Sequence, residues 1–140
     1  MINKLIDGIC RGLYNEFGEE YHIYTEKIEQ RFTRPCFFVE VNRSSTQLFR
    51  GNRYFMQNKV LVTFYPGCKR KRDNMAEVAQ RVSQCLELIV TDGAPLRCNA
   101  CTHTFNIDEL KTELGFDFFV NIVDTETAEL MEEYSLKGIE

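Results

Sequence analysis

No apolar run in this chain approaches the ~20 residues that a helix needs to cross a bilayer, so a helical membrane protein is excluded. The opening residues MINKLIDGICRGLYNEF lack the continuous apolar stretch of a secretory signal, because Asp7, Arg11 and Glu16 interrupt it; the chain is expected to stay in a cytosol. The glycines at 8, 12, 18, 51, 67 and 93 form neither G-x-G-x-x-G nor a P-loop, which leaves nucleotide binding without support. Only two histidines are present, His22 and His103, and no G-x-S-x-G accompanies them, so no local signature of nucleophilic catalysis exists. Internal repeats and low-complexity linkers are also missing.

What remains is ordinary in bulk. The 140 residues, 44% hydrophobic and 27% charged, suit one compact domain. Six cysteines without a secretory segment read as reduced thiols rather than a disulfide framework, with Cys10, Cys36 and Cys85 as small buried apolar groups. The net charge of −4 is concentrated at the end: residues 124–140 carry −5, leaving +1 for residues 1–123. A nearly neutral body with an acidic tail argues against a general nucleic-acid binder, whose domain would be clearly basic.

Leu5, Ile6, Ile9, Leu13 and Phe17 recur at spacings of three and four, predicting a first amphipathic helix closed by Gly18. YHIYTEKIEQ and CFFVEV suit a pair of strands, with Pro35 at the start of the second. TQLFRGNRYFMQNKVLVTFYP reads as a strand, a turn at RGN and a long second strand. Met75, Val78, Ala79, Val82, Cys85, Leu86 and Ile89 then predict a second helix, capped by Asp73 or Asn74 and stopped before TDGAP. The last third predicts a hairpin, one strand from about Leu96 to Ile107 and another through LGFDFFVNIV. Phe116, Phe118, Val120 and Ile122 would lie on one face, Asp117, Phe119 and Asn121 on the other. The expected fold is therefore α+β, an antiparallel or mixed sheet with two helices on one face in the order α-β-β-β-β-α-β-β. The aromatic residues on both parities of CFF and DFF suggest that the second sheet face is covered too, by core or by a subunit interface.

Two clusters invite chemistry. In RCNACTH, Cys98, Cys101 and His103 are candidate metal ligands, but a zinc knuckle needs both thiolates on a tight turn, and strand residues three apart point to opposite faces. The strand reading puts Cys101, His103 and Phe105 on one side, and no second Cys/His pair follows at finger spacing. No metal or other cofactor is expected. Lys69, Arg70, Lys71 and Arg72 form the strongest charge cluster, beside a helix N-terminus that disfavours cations; they read as a solvated loop or as a contact for DNA or an acidic partner.

IYTEKIEQRFTRPCFFVEV, GNRYFMQNKVLVTFYP and FDFFVNIV together resemble the phage tail terminator family, small proteins from tail-assembly regions of phages and prophages of Gram-positive bacteria. The likeness covers roughly residues 1–123, the tail-terminator-like domain; residues 124–140 would form an acidic C-terminal tail, as a short helix or an arm. The resemblance implies a structural protein, not an enzyme. Such a protein forms a ring homo-oligomer, a hexamer, that caps the tail tube, ends its polymerisation and helps join tail to head. Its implied partners are itself, the tail tube protein and the head–tail connector or stopper, with DNA only passing through the ring and no membrane. Its implied location is the bacterial host cytoplasm during assembly and then the head-proximal end of the virion tail. Ring closure would place Phe32, Arg34, Phe38, Arg50, Asn52, Arg53 and Tyr54 at contacts between subunits or partners. RCNACTH departs from the family pattern. The rival readings are a small DNA-binding module using Lys69 to Arg72, and a zinc-binding or thiol enzyme built on Cys98, Cys101 and His103.

Overall fold

The computed structural model describes residues 2–25, 33–67, 71–91 and 93–121. The predicted stripe becomes helix α1 (Ile2–Phe17), with Leu5, Ile9, Leu13 and Phe17 all buried. Gly18 ends it at φ 80°, where a side chain would be strained, while its N–H still reaches the Tyr14 carbonyl at 2.8 Å. A short strand β1 (His22–Tyr24) pairs in parallel with the start of β2 (Cys36–Arg50), which begins directly after Pro35. β3 (Arg53–Tyr65) returns antiparallel to β2 through the two-residue turn Gly51–Asn52, with Gly51 at φ 58°.

Helix α2 (Lys71–Cys85) follows, then a small separate hairpin of β4 (Leu88–Thr91) and β5 (Ala94–Arg97). β6 (Ala100–Phe105) and β7 (Leu110–Asn121) complete a five-stranded mixed sheet in the order β1-β2-β3-β7-β6. The class is the expected one: α+β, a single domain, two helices on one sheet face. Leu5, Ile9 and Leu13 of α1 and Met75, Val78 and Val82 of α2 share one core cluster with Phe37, Val39, Val60, Val62, Phe64 and Phe116 of the sheet.

The order of elements differs from the expected one at four points. CFFVEV and TQLFR are a single strand, because a bulge after Val41 shifts the pleat and lets the polar residues Asn42 to Ser45 continue the ladder. Three strands, not four, therefore precede α2. That helix starts at Lys71, so Asp73 and Asn74 lie within it rather than capping it; lysine and arginine favour helix more than aspartate and asparagine do. It ends at Cys85. Leu86 and Ile89 are buried as expected, yet Ile89 belongs to β4, since a spacing of three satisfies a helix stripe and also a turn into a strand. Finally, the strand expected over Leu96–Ile107 is broken at Cys98 and Asn99. There the Cys98 N–H bonds the Glu87 carbonyl and the Asn99 N–H bonds the Gly115 carbonyl, which ties both hairpins to their neighbours. Four strands, not two, follow α2.

The packing of α1 on β4 depends on Gly8. A Cβ added there would lie 2.9 Å from the Val90 carbonyl oxygen, and backbone cannot swing aside. Gly8→Ala is expected to lose about 1–2 kcal/mol in urea denaturation, an overpacking cost of about 1–3 kcal/mol partly offset by alanine's better helix propensity. Gly12→Ala meets the end of the Leu86 side chain at 3.0 Å and the Cys85 carbonyl oxygen at an ordinary 3.5 Å, and should stay close to neutral.

Candidate functional site

Strand parity decides what each sheet face presents. On the helix side the rungs run Phe37–Phe64–Leu110, Val39–Val62–Thr112 and Val41–Val60–Leu114. Beyond the bulge they continue as Ser44–Asn58–Phe116, Thr46–Met56–Phe118 and Leu48–Tyr54–Val120. The expected faces of β7 hold, with Phe116, Phe118 and Val120 opposite Asp117, Phe119 and Asn121; Ile122 lies outside the described residues. No described helix covers the other sheet face, whose aromatic residues gather at its two ends.

At the base, Phe38 stacks on Tyr24 at 5.3 Å and meets the Tyr65 ring edge-on at 5.8 Å. Arg34 lies over Tyr65 and pairs with Asp108 at 3.1 Å, joining this end to the β6–β7 turn. At the tip, Phe119 packs against Phe49 and Phe55 with ring centroids 5.0 and 4.9 Å away, and the Arg53 guanidinium sits 4.3 Å over its ring. Cation–aromatic contacts of this kind are worth about 0.5–1 kcal/mol at exposed sites. Phe49 is 58% exposed, Phe119 42% and Leu48 63%, an apolar and arginine-bearing end exposed among the described residues.

The structure thus separates the expected interface residues into two groups. Arg34 and Phe38 stand at the base, Arg50, Asn52, Arg53 and Tyr54 at the tip, and the twelve residue steps from Phe38 to Arg50 put about 40 Å of strand between them. Phe38 is buried beneath its tyrosines and acts as a support, whereas Arg50, Asn52 and Arg53 are exposed. Phe32, Lys69, Arg70 and residues 124–140 lie outside the described residues, as do the side chains of Lys71 and Arg72. Phe49 and Phe119, which the tip exposes, were absent from the sequence-based interface set. Their signal was aromatic residues beside RGN and on the odd parity of DFF.

The thiol cluster resolves as strand chemistry. Cys101 and His103 share the β6 face, with Cys101 Sγ 3.7 Å from His103 Nε2, while the other ring nitrogen, Nδ1, lies 2.8 Å from Thr112 Oγ1. Cys98 instead donates its thiol to the Ala100 carbonyl at 3.0 Å. Partial desolvation and then the neighbouring Cys98 push the Cys101 thiol above its ordinary range, and desolvation pulls the His103 imidazole below its own. The Cys101 thiol is therefore protonated at neutral pH, which withholds the thiolate that a nucleophile requires. Among the described residues no three His, Cys, Asp or Glu side chains converge as a metal site. Burial likewise raises the thiols of Cys10 and Cys36 to about 11 and that of Cys85 to about 12, in keeping with their apolar role.

Comparison with known proteins adds one decisive match. One solved structure, titled only by a sequence identifier, covers 85% of this chain and 97% of its own at 12% identity and a TM-score of 0.39, which carries no functional argument. No curated protein matches. A family model described as phage tail terminator protein matches residues 4–128, nearly the whole chain. The chain belongs to the phage tail terminator family and is a structural protein of the virion tail that interacts with other tail components.

Proposed function

We propose that this protein closes into a ring, six subunits in this reading, on the head-proximal end of the tail tube, ends tube growth and offers the surface on which the head connector docks. The observation that carries the proposal is the family match over residues 4–128. The sheet supports it physically: one face is filled by helices, and the other ends in an exposed tip of Phe49, Phe119 and Arg53 suited to covering by another subunit. A tube grows by repeated addition through one heterologous surface. A terminator ends growth by matching the last ring on one side and failing to match a further tube subunit on the other. Residues 124–140, acidic in sequence, serve in this proposal as an arm to a tail partner. The host cytoplasm is the place of assembly, and DNA only passes through the ring.

The test is tube length. Purified tube protein polymerised with this chain at equimolar ratio should give markedly shorter tubes by electron microscopy than tube protein alone, with the added protein at one end. Unchanged lengths would remove the capping role.

A further inference from the structure

The tip of the sheet has two open sides. β1 pairs with β2 only at Cys36 to Phe38, so from Arg43 to Arg50 the outer edge of β2 has no strand beside it among the described residues. On the opposite side, β6 pairs with β7 only from Leu110 to Gly115, leaving the outer edge of Phe116 to Asn121 equally bare of described strands. An open edge presents rows of unpaired N–H and C=O groups, and proteins commonly blunt it with charged residues, proline or a bulge. Register shifts at Val41/Arg43 and Leu48/Arg50 flank this stretch of β2, but neither proline nor lysine occurs in Arg43–Arg50 or Phe116–Asn121.

These two edges fit each other. Both flank β3 and both run antiparallel to it, so they point the same way. Their rungs coincide: Ser44 with Phe116, Thr46 with Phe118, Leu48 with Val120, each joined through one residue of β3. Charge is complementary as well, with Arg43 and Arg50 on the β2 edge and Asp117 on the β7 edge, where its carboxylate also accepts from Asn99 Nδ2 at 2.6 Å. A rotation about an axis along the strands preserves their direction. Successive copies around such an axis would therefore bring the β7 edge of one against the β2 edge of the next, in parallel.

We infer that a second copy of this chain is the occupant of these edges: neighbouring subunits join by parallel pairing of β7 residues 116–121 with β2 residues 43–50, so that the sheets continue from subunit to subunit around the ring. The inference rests on the ring reading above and adds which strands close it. The junction is heterologous, so every copy uses both edges, and only a closed ring leaves none open. Pairing of β2 with β2 would instead close a dimer and leave both β7 edges bare.

Two single variants test it, Leu48→Cys and Val120→Cys. Both sites are at least partly exposed, and both lie on the same sheet face at the same rung. They are mixed under mild oxidation, free and on preformed tubes, with native mass spectrometry of the wild type alongside. The mixture should give interchain dimer on the order of tenfold above either variant alone, because only the mixture brings two Cβ atoms within disulfide reach at a junction. The separate samples control for the native cysteines. Equal cross-linking within one variant alone would overturn the heterologous junction in favour of like-with-like pairing. A wild-type ring with no excess cross-link in the mixture would overturn the strand assignment and leave the ring standing; absence of any ring, free or on tubes, would overturn both.

Discussion

Phe37→Ala is expected to lose about 3–5 kcal/mol, the range for removing a large aromatic side chain from a packed core. Phe37 has no exposed surface, and its ring lies 4.9 Å from Phe17, 5.1 Å from Phe64 and 5.9 Å from Tyr21. Those contacts join the end of α1, the residue leading into β1, and strands β2 and β3. Truncation opens a void that three rigid rings cannot collapse to fill, so the cavity penalty adds to the lost transfer energy. Since a domain of this kind is stable by only about 5–15 kcal/mol, the variant should lose a large share of its stability. Urea denaturation should show a large fall in midpoint with little change in slope. A loss below about 1 kcal/mol would mean that this aromatic cluster is not the core it is described as.

Asn58 is the second site of large effect, for the opposite reason: it is polar and completely buried. Its Nδ2 donates to the Phe116 carbonyl at 3.0 Å, and its Oδ1 accepts from Ser44 Oγ at 2.8 Å, so one side chain links β2, β3 and β7 across a single rung. Asn58→Leu fills similar volume but strands both partners. A buried acceptor left unpaired costs about 1–3 kcal/mol, and the expected loss is about 2–3 kcal/mol. Asn58→Asp separates charge from shape. At neutral pH the introduced carboxylate would face the Phe116 carbonyl without a proton to donate, so burial should raise its folded pKa above the unfolded value of about 3.9. The sign follows: the penalty is full above the folded pKa and shrinks as pH falls through it, because the protonated acid can donate as the amide did. This variant should therefore gain stability relative to wild type on mild acidification, whereas the leucine variant should not. Parallel pH profiles of the two variants would contradict the hydrogen-bond account.

The contrast between these residues shows what a linear reading can reach. Phe37 stands out in CFFVEV, and Asn58 falls on the parity of Met56 and Val60, so its burial was legible even though its partners were not. Ser44 and Phe116 lie 14 and 58 residues away. The unity of β2 was hidden for a related reason. Asn42 to Ser45 form a polar stretch that looks like a connection, but a bulge after Val41 shifts the pleat, leaves Asn42 and Arg43 exposed and sets Ser44 beside Asn58, so polar residues are compatible with an unbroken ladder. The hairpin of β4 and β5 was hidden by arithmetic, since Ile89 at three residues from Leu86 extends a helical stripe as readily as it fills a strand position. Gly93, at φ 81°, was the clue to its turn.

The placement of Cys101 with His103 on one face of β6 followed from alternation; the position of Cys98 did not, because the strand expected to run through it is broken at Cys98 and Asn99. The division of the candidate interface did not, because Arg34 and Arg50 are sixteen residues apart in a chain whose strand lengths were misread.

Local chemistry in the sequence determined the two helical stripes, the turn at Gly51–Asn52, the alternation along β3 and β7, and the family to which the chain belongs. All of these depend on residues within a few positions of one another, or on their fixed order. Tertiary structure alone decided which strand edges have no described strand beside them, which aromatic rings collect at the exposed tip, and what Asn58 holds together. Those outcomes depend on where strands far apart in the chain stop pairing, a property of the register between them that no single segment contains.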